Sequence, residues 1–410
     1  MNSCPLISII IPTKNRQYTA LFAVESVLSI PSEKLELIVQ DCSDDDSFGE
    51  ILKNKYGKDI RLKYFHTDQR PSMNENWSLA ISKTQGKFVY GIGDDDAILP
   101  ALIEVAVWMD SKNIEAVIPL KVQYIWNDAY LGTFSNSRMT LPTYFNGKIY
   151  TIDLQKEFDR KVKNCGFGYT TNMPNLYHGF ISKRILDLHK TKFGYYFNGT
   201  SLDVYSAFTT PHYIDSLYYI DYPISIWGAC GKSNSNRVIS GKTEEHYKEF
   251  KNYKSIANLP KAFISEVSVT ETMIQALKDI EMNHLIITMD LSLVYAKCAS
   301  FEPGKFLYFY NDYKTNKNPG NTNFDYFKAF IKFRISKTKQ LLVNSIIKIL
   351  FPVIPNSQQL IEKITANKKP FCKDISECLK YIKSYQDQHG LKIQFETEIN
   401  QLETKKELWE

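Results

Sequence analysis

Gly86-Lys87-Phe88-Val89-Tyr90-Gly91-Ile92-Gly93-Asp94-Asp95-Asp96-Ala97-Ile98-Leu99-Pro100 is the stretch on which the reading of this chain turns. It is a short apolar strand, a glycine, three consecutive carboxylates and an apolar turn closed by proline. Adjacent ionised carboxylates repel one another and are costly to desolvate. At the end of a buried strand they imply a cation that offsets this cost. Ligands that are all oxygen suit Mg²⁺ or Mn²⁺, usually shared with substrate phosphates. The plainer reading is a solvated acidic turn that also caps a helix starting near Pro100. The stretch alone leaves both readings open.

The neighbouring sequence extends the pattern. Leu6–Ile11 is a continuous apolar run, as expected for a strand covered on both faces. It ends at the polar turn Pro12-Thr13-Lys14-Asn15-Arg16. A helix is expected over Gln17–Ser29 and a second strand over Leu35–Val39, ending at Asp41-Cys42-Ser43-Asp44-Asp45-Asp46. Further helices are expected at Ser47–Tyr56, Asn74–Lys83 and Pro100–Lys112, and strands at Arg61–Phe65, Phe88–Ile92 and Ala116–Tyr124. Strands alternating with helices predict an α/β fold with a mostly parallel, doubly wound, Rossmann-like sheet. In such sheets ligands bind at the carboxyl ends of the strands. The turns at 12–16, 41–46 and 93–96 all follow strands, so they fall on one edge. That edge combines cations with two acidic turns and suits a nucleotide diphosphate with its metal.

These three ordered motifs resemble the nucleotide-binding half of family 2 glycosyltransferases, which have the GT-A fold. The resemblance spans about residues 5–230. It implies that Pro12, Thr13, Asn15 and Arg16 line the nucleotide and that Asp41 contacts the uracil or ribose. Gln40 and Cys42 stand where the family has an acid and a glycine. Asp95 and Asp96 are the expected ligands of Mn²⁺ or Mg²⁺, with Asp94 facing the ribose. Arg70 and Asn76 lie in the segment that carries polar residues near the nucleobase and phosphates. Asn74 reads as a helix cap. The resemblance also implies an inverting transfer, in which a carboxylate takes the proton of the acceptor hydroxyl. Asp203 stands where the family places that base, although it could simply cap the helix that follows. His178, just before this element, could touch acceptor or phosphate, or be structural. Lys232 and Arg237 fall in a loop after the apolar segment Leu217–Trp227. That loop is either a lid reaching the diphosphate or plain surface, and its Gly-Lys-Ser lacks Walker A spacing.

After about residue 240 glycine thins out and helical spacing dominates. Helices are expected at Glu244–Ala257, Ala262–Ala299, Lys305–Tyr313, Phe324–Phe351, Gln358–Ala366, Lys373–Gln388 and Lys392–Leu408. The domain reading is therefore 1–240 for the GT-A domain, split into a nucleotide half (1–115) and an acceptor half (116–240). A helical C-terminal appendage, 241–410, follows. From Tyr326 to Ile361 there is no acidic residue, whereas Lys328, Lys332, Arg334, Lys337, Lys339 and Lys348 are present. A basic amphipathic helix over 324–351 suits an anionic membrane surface. The alternative is packing against the catalytic domain or a second subunit in a homodimer.

Composition narrows the function classes. The seven cysteines are scattered without CxxC spacing, which argues against a disulfide framework or a zinc site. No signal peptide or membrane span is expected, and a cytoplasmic location, peripheral on the membrane at most, follows. Net charge is only +5. With no basic recognition motif, nucleic-acid binding is not expected. The expected function is an inverting, metal-dependent transfer from a nucleotide sugar, UDP-linked by preference. The acceptor would be a lipid-linked glycan or oligosaccharide in O-antigen or capsule-type synthesis. The rivals are a nucleotidyltransferase, disfavoured because Pro12–Arg16 lacks glycine, and a silent sugar-binding scaffold at the membrane.

Overall fold

The computed structural model describes residues 4–129, 136–233, 256, 258–350, 367–396 and 398–400. Strand β1 (Ile7–Thr13) lies inside a mixed sheet, third from one edge. It pairs in parallel with β2 (Leu35–Asp41) on one side and β4 (Phe88–Gly91) on the other, and β2 pairs in parallel with β3 (Leu62–His66). Helices α1 (Gln17–Leu28), α2 (Ser47–Tyr56) and α3 (Met73–Ser82) make the crossovers. Every residue of β1 and β2 is buried, as continuous apolar strands covered on both faces require. Their side chains alternate between two cores. Ile9, Ile11, Leu37 and Val39 enter one, and Ile10 and Ile38 the other.

Past β4 the sheet stops being purely parallel. The two-residue β5 (Ala97–Ile98) and helix α4 (Leu102–Lys112) lead into β6 (Ala116–Ile125), β7 (Arg138–Pro142) and β8 (Ile149–Ile152). Helix α5 (Leu154–Lys163) precedes β9 (Phe180–Ser182), which inserts antiparallel between β4 and β6. Helices α6 (Lys183–Phe193) and α7 (Leu202–Thr209) then lead to β10 (Leu217–Ala229). Strand β10 runs parallel to β6 and antiparallel to β8, with register shifts between Ile220 and Ser225. The α/β plan holds; only the β1–β4 half is purely parallel, and beyond it parallel and antiparallel pairs mix.

C-terminal helices are present: α8 (Ser265–Asp279), α9 (Leu291–Phe301), α10 (Phe306–Asn316) and α11 (Asn323–Leu350). The single helix expected over Ala262–Ala299 is instead two, α8 and α9, separated by a break that holds the 3-10 turn Asn283–Thr288. The helices expected at Glu244–Ala257 and Gln358–Ala366 lie outside the described residues, Ile256 excepted. The chain then returns to the sheet. The short β11 (Asn367–Lys368) pairs with β7, and α12 (Ile375–Gln388) sends Ile375, Cys378 and Ile382 into the core that β1 and β2 share. The helix expected over Lys392–Leu408 does not form in its described part. Ile393 and Phe395 pack on that core, Gln394 N–H donates to Gly147 O at 2.9 Å, and β12 (Glu398–Asn400) pairs with β8. Tertiary packing overrides a helical spacing pattern there.

Candidate active site

The carboxyl ends of β1, β4 and β10 converge on the three aspartates. Asp94 is fully buried; Thr13 Oγ1 donates to its Oδ2 at 2.6 Å, and Arg16 Nη2 sits 2.6 Å from its Oδ1. The second Arg16 nitrogen, Nη1, is 3.6 Å from Asp95 Oδ1. Asp95 Oδ2 accepts the Cys230 backbone N–H at 3.0 Å. Asp96 accepts two short backbone bonds, from Gly93 N–H and Gly228 N–H, both 2.6 Å. Strand β10 passes so close that a Cβ at Gly228 would lie 1.7 Å from the Asp95 carbonyl oxygen, so only glycine fits there.

Asp96 has a further partner in His178, whose Nε2 lies 3.0 Å from Oδ2. The other His178 nitrogen, Nδ1, is 2.7 Å from Ser225 Oγ, which accepts from Tyr90 O–H at 2.9 Å. This network assigns the tautomer: Ser225 O–H donates to Nδ1, and Nε2–H faces the carboxylate. His178 is therefore a structural partner of Asp96 within the protein.

Charge in the cluster is unevenly met. Burial raises the Asp95 carboxyl, Arg16 opposes it, and Asp96 and Asp94 add to it, so the group is pushed up to about 7. Burial also raises Asp94, against the pull of Arg16. For Asp96 burial is outweighed by His178 and the two amides, which hold it below the usual carboxylate range. Burial opposes the charge on Arg16, but Asp94 and Asp95 more than compensate and raise it. Three carboxylates thus face one guanidinium and one imidazole, which leaves excess negative charge. Among the described residues no three His, Cys, Asp or Glu side chains gather to hold a metal ion alone. The donor set fits an ion of the Mg²⁺ type, which takes one or two carboxylates and completes its shell with phosphate and water. Asp95 would hold it, because both oxygens of Asp96 are already committed to N–H donors.

The remaining expected residues divide into three groups. At the rim, Lys232 Nζ donates to Asn15 O at 3.3 Å, joining the β10 loop to the turn after β1. Asn15, at φ 53°, bonds Ser43 and Asp44, and Pro12 is paired with Gln40 across β1 and β2. Arg70 is exposed and meets Asp44 at 3.1 Å. Deeper in, Asn76 Nδ2 donates to Thr13 O and Gln40 O, both at 3.4 Å, and its buried Oδ1 has no bonding partner among the described residues. Asp41 accepts from Ser43 N–H at 2.8 Å and Tyr64 O–H at 2.9 Å, so both its oxygens are engaged inside the protein. Arg237 lies outside the described residues. Asn74 is not the cap of α3. Ser72 caps it in a reciprocal box with Glu75, while Asn74 Nδ2 donates to Gly199 O at 2.8 Å.

Asp203 occupies the first turn of α7, half-buried. Tyr169 O–H donates to its Oδ2 at 2.5 Å, and no side chain caps the helix. Lys121 of β6 feels the charge of both Asp203 and Asp96. Burial lowers the Lys121 ammonium and the two carboxylates oppose that. The sequence reading passed over Lys121, since a lysine in a strand carries no motif. Its register partner Ser225 ties it to the His178 network.

The model of the family Glycosyl transferase family 2 matches residues 8–173. A Campylobacter jejuni protein, GalNAc(5)-diNAcBac-PP-undecaprenol beta-1,3-glucosyltransferase, is 32% identical over 96 residues, which cover 23% of this chain and 31% of that one. The Escherichia coli UDP-Glc:alpha-D-GlcNAc-diphosphoundecaprenol beta-1,3-glucosyltransferase WfgD is 25% identical over 167 residues, covering 40% of this chain and 58% of that one. The match thus spans 31% and 58% of the length of those two relatives. A solved structure of S. aureus TarS 1-349 with UDP-GlcNAc superposes at a TM-score of 0.43 and 14% identity, over 76% of this chain and 92% of that one.

Proposed function

We propose that this protein, whose residues 8–173 match the model of Glycosyl transferase family 2, transfers a sugar from a nucleotide donor in bacterial polysaccharide assembly. The donor is a UDP-sugar and the acceptor a lipid-linked glycan, in keeping with the diphosphoundecaprenol substrates named for two relatives. The observation that carries this reading is the Thr13–Asp94–Arg16–Asp95 cluster at the carboxyl edge of the sheet. A buried excess of carboxylate beside cationic turns suits a diphosphate with its counter-ion.

Each residue has a role in this reading. A Mg²⁺ or Mn²⁺ ion at Asp95 would supply Lewis acidity toward the departing diphosphate. In this reading Arg16 and Lys232 stabilise the negative charge that develops on that group. Asn76 Oδ1, buried and unbonded, is a free acceptor for a donor N–H or O–H. Asp203 takes the proton from the acceptor hydroxyl while that oxygen bonds the anomeric carbon, and UDP leaves from the opposite face with inversion. Tyr169 fixes the Asp203 rotamer through Oδ2. The enzyme works on the cytoplasmic side of the membrane.

Calorimetric titration with UDP, with and without Mn²⁺, tests the donor site. Binding that needs the ion and vanishes in Asp95→Asn supports the reading. Ion-independent binding removes the metal from it, and no binding of any uridine nucleotide overturns the donor assignment. A screen of nucleotide sugars for hydrolysis then identifies the sugar.

A further inference from the structure

Helix α11 has two apolar faces, and among the described residues only one is covered. Tyr326, fully buried, and Ala329 turn inward with Phe330 and Phe333 onto the core shared with α9 and α10. On the other side Phe324, Ile331, Ile335 and Leu342 are 73%, 55%, 63% and 59% exposed. At about 100° of turn per residue these four fall within about 40° of one another, a straight stripe along the helix. Phe327 widens it on one flank. Lys328, Lys332 and Lys339 are exposed and form a column along the other flank. From Tyr326 to Leu350 there are six lysines and arginines and no acid. Among the described residues, the packing alternative for this helix therefore accounts for one face only.

We propose that the Phe324–Leu342 stripe of α11 with its lysine column docks on an anionic lipid bilayer surface, the helix lying in the plane of the interface. Exposed apolar side chains in line, rimmed by cations, match the acyl–headgroup boundary in both polarity and sign. Among the described residues no helix is long and apolar enough to cross a membrane, so the contact is a lateral one. A second copy of this chain fits the face poorly. In an antiparallel two-fold pairing of α11 the lysine columns would confront each other, and the segment holds no acid to answer them. The inference deepens the reading of a lipid-linked acceptor by naming the surface that brings the enzyme to it. Its test needs neither donor, acceptor nor metal, so either can fail while the other stands.

The experiment is co-sedimentation of the full-length protein with vesicles of phosphatidylcholine, with and without phosphatidylglycerol. The proposal expects binding to the anionic vesicles, at least about ten-fold weaker binding to the neutral ones, and release by molar salt. Ile331→Ser with Ile335→Ser, and separately Lys328→Glu with Lys332→Glu, should each lower anionic-vesicle binding at least ten-fold. All four side chains are exposed, and an unchanged thermal melt shows that the fold is intact. Equal binding to both vesicle types, or unaffected binding by both double variants, overturns the proposal. A dimer in solution that Ile331→Ser with Ile335→Ser dissociates overturns it too, and makes the second copy the occupant.

Discussion

His178 Nε2 lies 3.0 Å from Asp96 Oδ2, and neither side chain is reached by solvent. With Gly93 and Gly228 amides on the same carboxylate, Asp96 is the internal brace that ties β4, β9 and β10 together at the site. Asp96→Ala strips two buried amides of their acceptor and His178 of its charge partner at once. It should cost about 3–5 kcal/mol of stability, in the range for breaking a buried charged network. Urea unfolding measures this, and a loss under about 1 kcal/mol would refute the brace.

Asp95 should behave in the opposite way. Its charge is disfavoured by burial and by Asp94 and Asp96, so Asp95→Asn relieves repulsion. The variant should keep or slightly gain thermal stability at neutral pH while losing Mn²⁺-dependent UDP binding. Opposite signs for stability and binding are the mark of a functional carboxylate. A variant that loses both would place Asp95 among the structural groups.

Asp203→Asn should reduce transfer by about 10²–10⁴-fold, the range for losing a general base, and leave UDP affinity unchanged. Tyr169→Phe removes only the O–H that fixes Oδ2 and should have a smaller effect. Normal turnover in Asp203→Asn would remove it as the base.

His189 gives a pH dependence away from the site. Buried between Tyr205 O–H at 3.0 Å and Tyr213 O–H at 3.1 Å, it is lowered by burial from 6.5 to about 4. The folded state therefore favours the neutral ring. The stability it contributes is present above pH 6.5 and is lost as pH falls toward about 4, because the unfolded chain binds the proton first. At full effect this amounts to up to about 3 kcal/mol. His189→Asn should flatten the stability profile between those pH values, read by urea melts at a series of pH. A parallel profile in the variant would show that other groups control the acid limb.

Much of the β1–β4 half is legible from residue order. The apolar runs before Pro12 and Asp41 could only be doubly covered strands, and their turns had to share an edge. The grouping of Arg16 with Asp94 and Asp95 follows from that edge alone. What escaped depends on geometry that spacing does not encode. His178 reaches Asp96 from a left-handed conformation, φ 62°, held by its N–H bond to Gly91 O at 2.9 Å. Lys121 and Ser225 become neighbours only through irregular pairing in β10. The cap of α3 is legible in the capping-box spacing of Ser72 and Glu75, with Ser72 two residues ahead of Asn74. The non-helical course of residues 392–396 was not readable, because Phe395 settles beside Trp108, at a ring separation of 5.8 Å, only once the sheet exists.

Helix α12 supplies Ile375, Cys378 and Ile382 to the same interior as Ile9 and Leu37. A ribosome emits that helix more than three hundred residues after β1. The nascent nucleotide-binding half must therefore wait with one flank of its interior open, a period in which chaperone occupancy is expected. Any shortened version that stops before residue 388 would carry that open flank permanently, and its poor yield would say nothing about the chemistry at the aspartates.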